Sequence, residues 1–145
     1  MKTTLTRKRA AAFYAWALNA YDVSPLEDLL ADNFHYASQW VFEEITSKAD
    51  HLRYLRGKFH TLRDGRNMVF AELAHVNAYG EDQPCVVLAQ GSPADLVAIA
   101  LFQVAGDRIT RIDLCAVPPP ESARRSGIYP GLKSRNRPPE NKDLF

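Results

Sequence analysis

Cysteine is scarce in this chain, and so are most features that assign a protein to a class at sight. There are two cysteines among 145 residues, Cys85 and Cys115. One pair cannot make a disulfide framework. Both lie in apolar, strand-like runs, which reads as buried free thiols, with a disulfide or a reactive thiol as alternatives. No apolar run approaches the ~18 residues that a membrane-crossing helix needs. Charge of one sign is missing as well. Eighteen Lys and Arg stand against 17 Asp and Glu, a net charge of +1, so no field favours nucleic acid or an acidic membrane. Arg7-Lys8-Arg9 and Arg124-Arg125 are short basic clusters that read as solvated charge. The basic start leads into Ala10-Ala11-Ala12-Phe13-Tyr14, too amphipathic for a signal core, and the cytoplasm is the expected compartment. There is no glycine-rich phosphate loop, nucleophile elbow or internal repeat. The four histidines lack metal-ligand spacing. No metal, organic cofactor or covalent intermediate is expected.

What is present is a core. With 46% hydrophobic and 24% charged residues, the chain fits one globular domain. Residues 7–21 place Ala10, Phe13, Tyr14, Ala17, Leu18 and Tyr21 along one helical stripe. Ser24-Pro25-Leu26-Glu27 carries a helix-start signal, with Ser24 as cap and Glu27 closing a capping box. Leu26, Leu29 and Leu30 would bury one side of that short helix. Phe34 to Trp40 alternates and is rich in aromatics, which predicts a strand, and Val41 to Thr46 returns as a second. Ser47, with Asp50 three residues on, caps a third helix carrying Leu52, Leu55, Phe59 and Leu62, and Asp64-Gly65 ends it.

Beyond that point the pattern is all strand. Residues 67–79, 85–90, 95–104 and 108–117 are separated by short turn signals and predict an antiparallel meander. Helices first and strands after argue an α+β domain. Val86-Val87-Leu88-Ala89 and Leu96 to Phe102 are apolar at consecutive positions, so both sheet faces must be covered. Helices cover one. A second copy of the chain is the simplest cover for the other, which predicts a homodimer through the sheet. Residues 118–145 hold six of the nine prolines and read as an extended Pro-rich tail after a 1–117 domain. That tail is either loosely ordered or an arm that wraps the partner subunit through Ile128-Tyr129-Pro130 and Leu132.

Leu30-Ala31-Asp32-Asn33-Phe34, Ile45 leading into the third helix, and Gly106-Asp107-Arg108-Ile109-Thr110-Arg111-Ile112 before the last strand resemble the nuclear transport factor 2-like superfamily over about residues 7–117. That group includes SnoaL-like polyketide cyclases, ketosteroid isomerase, limonene epoxide hydrolase and scytalone dehydratase. The resemblance implies a cone-shaped, cystatin-like fold: three N-terminal helices on a curved antiparallel or mixed sheet, enclosing a pocket for a small organic molecule. It sets Ser38, Ala100 and Leu114 where other members carry catalytic acids, with Asp113 on the opposite face by strand alternation. It matches Tyr14 to the isomerase-like tyrosine of the first helix. The Tyr36-Ala37-Ser38 run matches the dehydratase strand, and His75 one of its two pocket histidines; residues 85–90 lack the second.

On the residues themselves, Tyr36, Ser38 and Trp40 share strand parity and face one way. Turned inward, they offer hydroxyls and an apolar wall to an uncharged, partly aromatic or cyclic ligand. His75 is the acid/base candidate, because imidazole titrates near neutrality. It shares parity with Leu73 and Asn77 and lies either in the pocket or on a solvent or dimer face. Tyr54 closes one side of the pocket. The expectation is a cofactor-independent isomerase, dehydratase or cyclase. His75 would move a proton, Tyr36 and Tyr14 would donate to a carbonyl or enolate oxygen, and Ser38, Trp40, Tyr54 and Asn77 would contact the ligand. The alternative is a non-catalytic ligand-binding or scaffold protein. Enclosure of His75 near Tyr36 favours the first reading and an outward position the second.

Overall fold

The computed structural model describes residues 4–63 and 67–135. The first helix, α1 (Arg7–Ala20), starts at Thr6, whose hydroxyl accepts from the Arg9 N–H at 3.1 Å, and stops at Tyr21 in the left-handed region (φ 56°). A one-turn helix, α2 (Ser24–Glu27), follows. Here the structure departs from the predicted helix. Ser24 is the first helical residue and its hydroxyl donates to Asp22 rather than capping. Leu29 and Leu30 leave the helix because their backbone is claimed by the sheet. The Leu29 carbonyl accepts from Ile109 at 2.7 Å, and Leu30 opens strand β1. Tertiary pairing has overridden a local start signal.

Strand β1 (Leu30–Ser38) and β2 (Val41–Ile45) form the hairpin, with an irregular register between Tyr36 and Ser38. Helix α3 (Lys48–Leu62) is capped as its sequence predicts, the Ser47 hydroxyl accepting from the Asp50 N–H at 3.1 Å. The Asp64-Gly65 stop signal lies outside the described residues. Then come β3 (Val69–Ala78), β4 (Glu81–Gln90), β5 (Leu96–Ala105) and β6 (Arg108–Cys115). They pair in order as the antiparallel meander, while β1 joins β6 in parallel. Tyr79 and Gly80 (φ 52° and 81°) turn the β3–β4 hairpin. Two positive-φ central residues match the right-handed twist of the strands, and Gly80 adopts its angle without a Cβ clash.

The sheet runs β2-β1-β6-β5-β4-β3, with a two-residue strand β7 (Arg124–Arg125) on the β3 edge, and has two apolar faces. On one, α1 and α3 cover Val69, Ala71, Val86, Leu88, Ala98, Ala100, Phe102, Ile109 and Ile112. On the other, Ala74, Val76, Cys85, Val87, Ile99, Leu101 and Cys115 form a second buried cluster.

The cover of that second face is the chain's own C-terminal segment. Residues 118–135, expected as an extended tail or an arm on a partner, fold back on the protein itself. A 3₁₀ turn (Pro120–Ser122) and Ala123 pack over β5 and the apolar cluster. Strand β7 (Arg124–Arg125) pairs antiparallel with the β3 edge. The segment then rounds that edge to reach α1. Buried Asn19 donates to the carbonyls of Ala71 and Pro130, both at 2.8 Å, and accepts from the Ala71 N–H at 2.7 Å. A last turn, α4 (Leu132–Arg135), packs on α1. Gly131 (φ 75°) passes so close to Trp16 that an added Cβ would sit 2.6 Å from the indole. Buried Glu72 fastens the strap, accepting from Arg125 Nε and the Gly127 N–H, both at 2.7 Å, and from the Tyr129 hydroxyl at 3.4 Å. The continuous apolar runs therefore have an intramolecular cause, and they do not by themselves call for a second copy. No helix is long and apolar enough to cross a membrane among the described residues.

Candidate functional site

A pocket of about 460 Å³ opens between α1, α3 and the helix-covered face of the sheet. Its floor is buried: Tyr14 and Leu18 from α1, Tyr36 from β1, Leu55 from α3, Leu88 and Ala98 from the meander. Its mouth is open. Trp40 is 56% exposed, and Tyr54, Lys58, Gln90 and Val97 stand with it at the rim. The helical contribution follows from spacing. His51, Tyr54, Leu55 and Lys58 stand at i, i+3, i+4 and i+7, one stripe of α3. Leu52 and Phe59 lie beside that stripe and, with Leu62 at its end, pack in the core.

Three phenols line the pocket, Tyr14 and Tyr36 at its floor and Tyr54 at its rim. Tyr36 and Tyr54 lie with ring centroids 6.0 Å apart. Burial pushes the Tyr14 hydroxyl well above its ordinary pKa, and the nearby Tyr36 and Tyr54 oxygens push it further. Tyr36 is raised by burial first and by Tyr54 second. Burial penalises the phenolate, so Tyr14 and Tyr36 remain protonated donors throughout the physiological range. Tyr14 is held by an edge-on contact with Phe102, centroids 5.4 Å apart. Apolar walls and a few convergent donors are the usual composition of a small-molecule pocket.

The structure brings together Tyr14, Tyr36, Trp40 and Tyr54. Ser38 is adjacent, paired in register with the pocket residue Leu114, but its hydroxyl accepts from the Trp40 N–H at 3.3 Å. Ser38 thus shapes the turn that carries Trp40. His75 and Asn77 do not join them. Both are exposed. The pocket's contribution from β3 is Val69, and six residues of extended strand put His75 roughly 20 Å further along. There His75 sits between Pro84 and Arg124 in register and lines a small hollow with Lys8, Ser126 and Ile128. Leu73, of the same parity, packs toward the helices. The strand simply outruns the cavity. Asp113 lies on the far face from its neighbour Leu114, bound by Arg111 Nε at 3.0 Å. Glu44 also joins Arg111, at 3.2 Å, and His35, at 3.0 Å.

One residue that the sequence reading passed over is His51. It is fully buried beneath the pocket tyrosines, with ring centroids 4.9 Å from Phe34, 4.7 Å from Tyr36 and 6.2 Å from Tyr54. Neither ring nitrogen has a hydrogen-bond partner among the described residues. Burial lowers its pKa from 6.5 to about 4. The ring is therefore neutral near pH 7, with one N–H and one lone pair unengaged. The signal that would have found it is the i, i+3, i+4, i+7 stripe. Among the described residues lining the pocket there is no Asp, Glu or His. Among the described residues, no group of three or more His, Cys, Asp and Glu is placed to hold a metal.

No family model and no curated protein sequence matches the chain. Solved structures do. A nuclear transport factor 2-like protein of unknown function from Cytophaga hutchinsonii aligns over 81% of this chain and 97% of its own, at 15% identity and a TM-score of 0.54. An uncharacterised cystatin-fold protein from Novosphingobium aromaticivorans aligns over 77% and 98%, at 16% identity and a TM-score of 0.56. A candidate polyketide cyclase from Sinorhizobium meliloti aligns over 71% and 90%, at 15% identity and a TM-score of 0.52. At such identities the likeness concerns architecture and carries no activity across. Helices on one side of a curved mixed sheet, with the hairpin strand β1 lying parallel to β6, give this chain the fold of the nuclear transport factor 2-like superfamily.

Proposed function

We propose that the chain holds a small cyclic or aromatic organic molecule in the pocket and orients it through an oxygen that accepts from the tyrosine hydroxyls. The observation that carries this reading is the pairing of the buried Tyr14 and Tyr36 hydroxyls on an apolar floor, with Tyr54 above them at the rim. A hydroxyl on a buried ring is a donor with little freedom to reorganise, and it is worth most where water is excluded. Trp40 and Leu114 supply the walls.

The test uses two ligands of one shape, acetonaphthone and ethylnaphthalene, titrated against the quenching of Trp40 fluorescence. The ketone binds more tightly than the hydrocarbon by about fivefold, the worth of one net hydrogen bond. Tyr14→Phe and Tyr36→Phe each reduce that preference. Equal affinities in the unaltered protein would refute the phenol assignment.

A second reading, a cofactor-independent isomerase, dehydratase or cyclase, is favoured by His51. Its neutral imidazole lies tilted against Tyr36, ring centroids 4.7 Å apart, and its nitrogens have no partner among the described residues. Phenols that stabilise an enolate oxygen would serve such a site, with the uncharged His51 imidazole beside the Tyr36 ring as the nearby group able to take a proton. Its check is proton exchange at the methyl group of acetonaphthone in deuterium oxide. Exchange faster than with His51→Leu supports it, and exchange at the buffer rate leaves the holding function alone.

A further inference from the structure

Lys58 is the one charged residue lining the pocket among the described residues. It stands at the mouth, four residues after Tyr54 on the same stripe of α3, so its stem runs over the rim. Both arginines of this helix are already engaged. Arg53 pairs with Asp50 at 2.8 Å and Arg56 with Glu27 at 3.0 Å. Lys58 has no acidic partner among the described residues. Among the described residues no carboxylate lines the cavity to offset it, and the Tyr14 and Tyr36 phenols below are held neutral. The cavity is therefore polarised: neutral donors at its floor, apolar walls, and one uncompensated positive charge at its opening.

We infer that the ligand is an amphipathic organic acid, with a cyclic or aromatic body on the floor and an anionic group at Lys58. This rests on the pocket reading above and adds the ligand's charge and direction of entry. A neutral ligand would leave the ammonium with water alone. A cationic ligand would meet it at the mouth. An acid places its charge where solvent still helps and its apolar part where water is expelled. The field at the mouth also draws anions toward the opening before contact.

The experiment separates the inference from the reading beneath it. N-phenylnaphthylamine, a neutral fluorescent probe, reports on the pocket by its emission and by quenching of Trp40. Naphthoate and naphthamide, alike in shape and different in charge, are then compared as displacers. In the full chain naphthoate displaces the probe at a lower concentration than naphthamide. Lys58→Met reduces that preference by roughly twofold to fivefold, the range for an exposed ion pair, and Lys58→Arg retains it. The preference also weakens with added salt. If the probe binds and the preference is the same in Lys58→Met, the anionic class is wrong while the pocket stands. If the probe does not bind the full chain, both are wrong.

Discussion

Replacing His51 with leucine exposes what the buried imidazole costs. In the folded protein its pKa falls from 6.5 to about 4, because burial penalises the charged ring. In the unfolded chain the ring titrates at its ordinary value. Well above pH 6.5 both states are neutral and the shift contributes nothing. As pH falls through 6.5 the unfolded state takes up a proton that the folded state refuses, so folding is progressively disfavoured until the folded ring also protonates near pH 4. A shift of that size, at 1.36 kcal/mol for each pH unit, amounts to about 3 kcal/mol lost across the window. Leucine fills a similar volume without polar atoms. It removes the unengaged N–H and lone pair, worth about 1–3 kcal/mol, and gives up aromatic contacts worth about 1 kcal/mol. His51→Leu is thus as stable as the parent or more stable by about 1 kcal/mol at neutral pH, and its advantage grows by about 2 kcal/mol at pH 5. Urea unfolding at both pH values, read as the difference between the two proteins, measures this and cancels the carboxylates they share. A variant that is less stable at neutral pH and loses stability on acidification in parallel with the parent would refute the reasoning. A histidine kept where an apolar residue is more stable would also strengthen the second functional reading, since stability is commonly sacrificed at working sites.

Other substitutions probe the strap and the core. Glu72→Ala leaves the Gly127 N–H without its acceptor and releases Arg125 and Tyr129, costing about 1–3 kcal/mol. Trypsin then cuts faster at Arg124 and Arg125 than in the parent, and unchanged digestion would show that the carboxylate does not hold the segment. Asn19→Ala strips three backbone groups of partners at the α1–β3 junction, with a loss of about 2–4 kcal/mol in urea unfolding. Deleting residues 118–145 uncovers Val87, Ile99, Leu101 and both cysteines. Burial pushes Cys85 up to about 12 and Cys115 up to about 11, so both thiols are nearly inert in the parent. In the truncated chain they react with a disulfide reagent, and the protein associates on size exclusion. Silent thiols in the truncated chain would mean that something other than the strap covers them.

How far the residues alone reached depended on where the information sits. Helix α3 and the meander were legible because their signals are local: Ser47 with Asp50 for the cap, short turn residues between strands. Tyr36 at the pocket followed from parity on its strand, whereas Trp40 reaches the pocket from the turn after β1; the inward side of Leu114 against Asp113 followed from alternation on another strand. The second helix was misjudged because the pairing of Leu29 and Leu30 with β6 joins residues some eighty positions apart and leaves no local trace. His51 was missed because the stripe was drawn through Leu52, Leu55 and Phe59, which define the core, and the adjacent stripe faces the cavity floor. His75 had the right parity, but parity says nothing of distance along a strand. Residues 118–135 have no periodicity to read. Their order comes from the β3 edge, from Glu72 and from Asn19, all distant in sequence.

That last arrangement bears on how the molecule is made. Asn19 waits for Pro130, 111 positions later, and Glu72 for Tyr129, 57 positions later. During synthesis the meander emerges before the residues that roof it, so Val87, Ile99 and Leu101 pass through an interval with water against them. Non-local closure of this kind slows folding, and transiently bare strands are where chains stick to one another. Expression of this protein will therefore be governed by the last twenty or so residues of the described chain more than by its helices, and a ribosome stalled after Cys115 would present a half-dressed sheet to the chaperones.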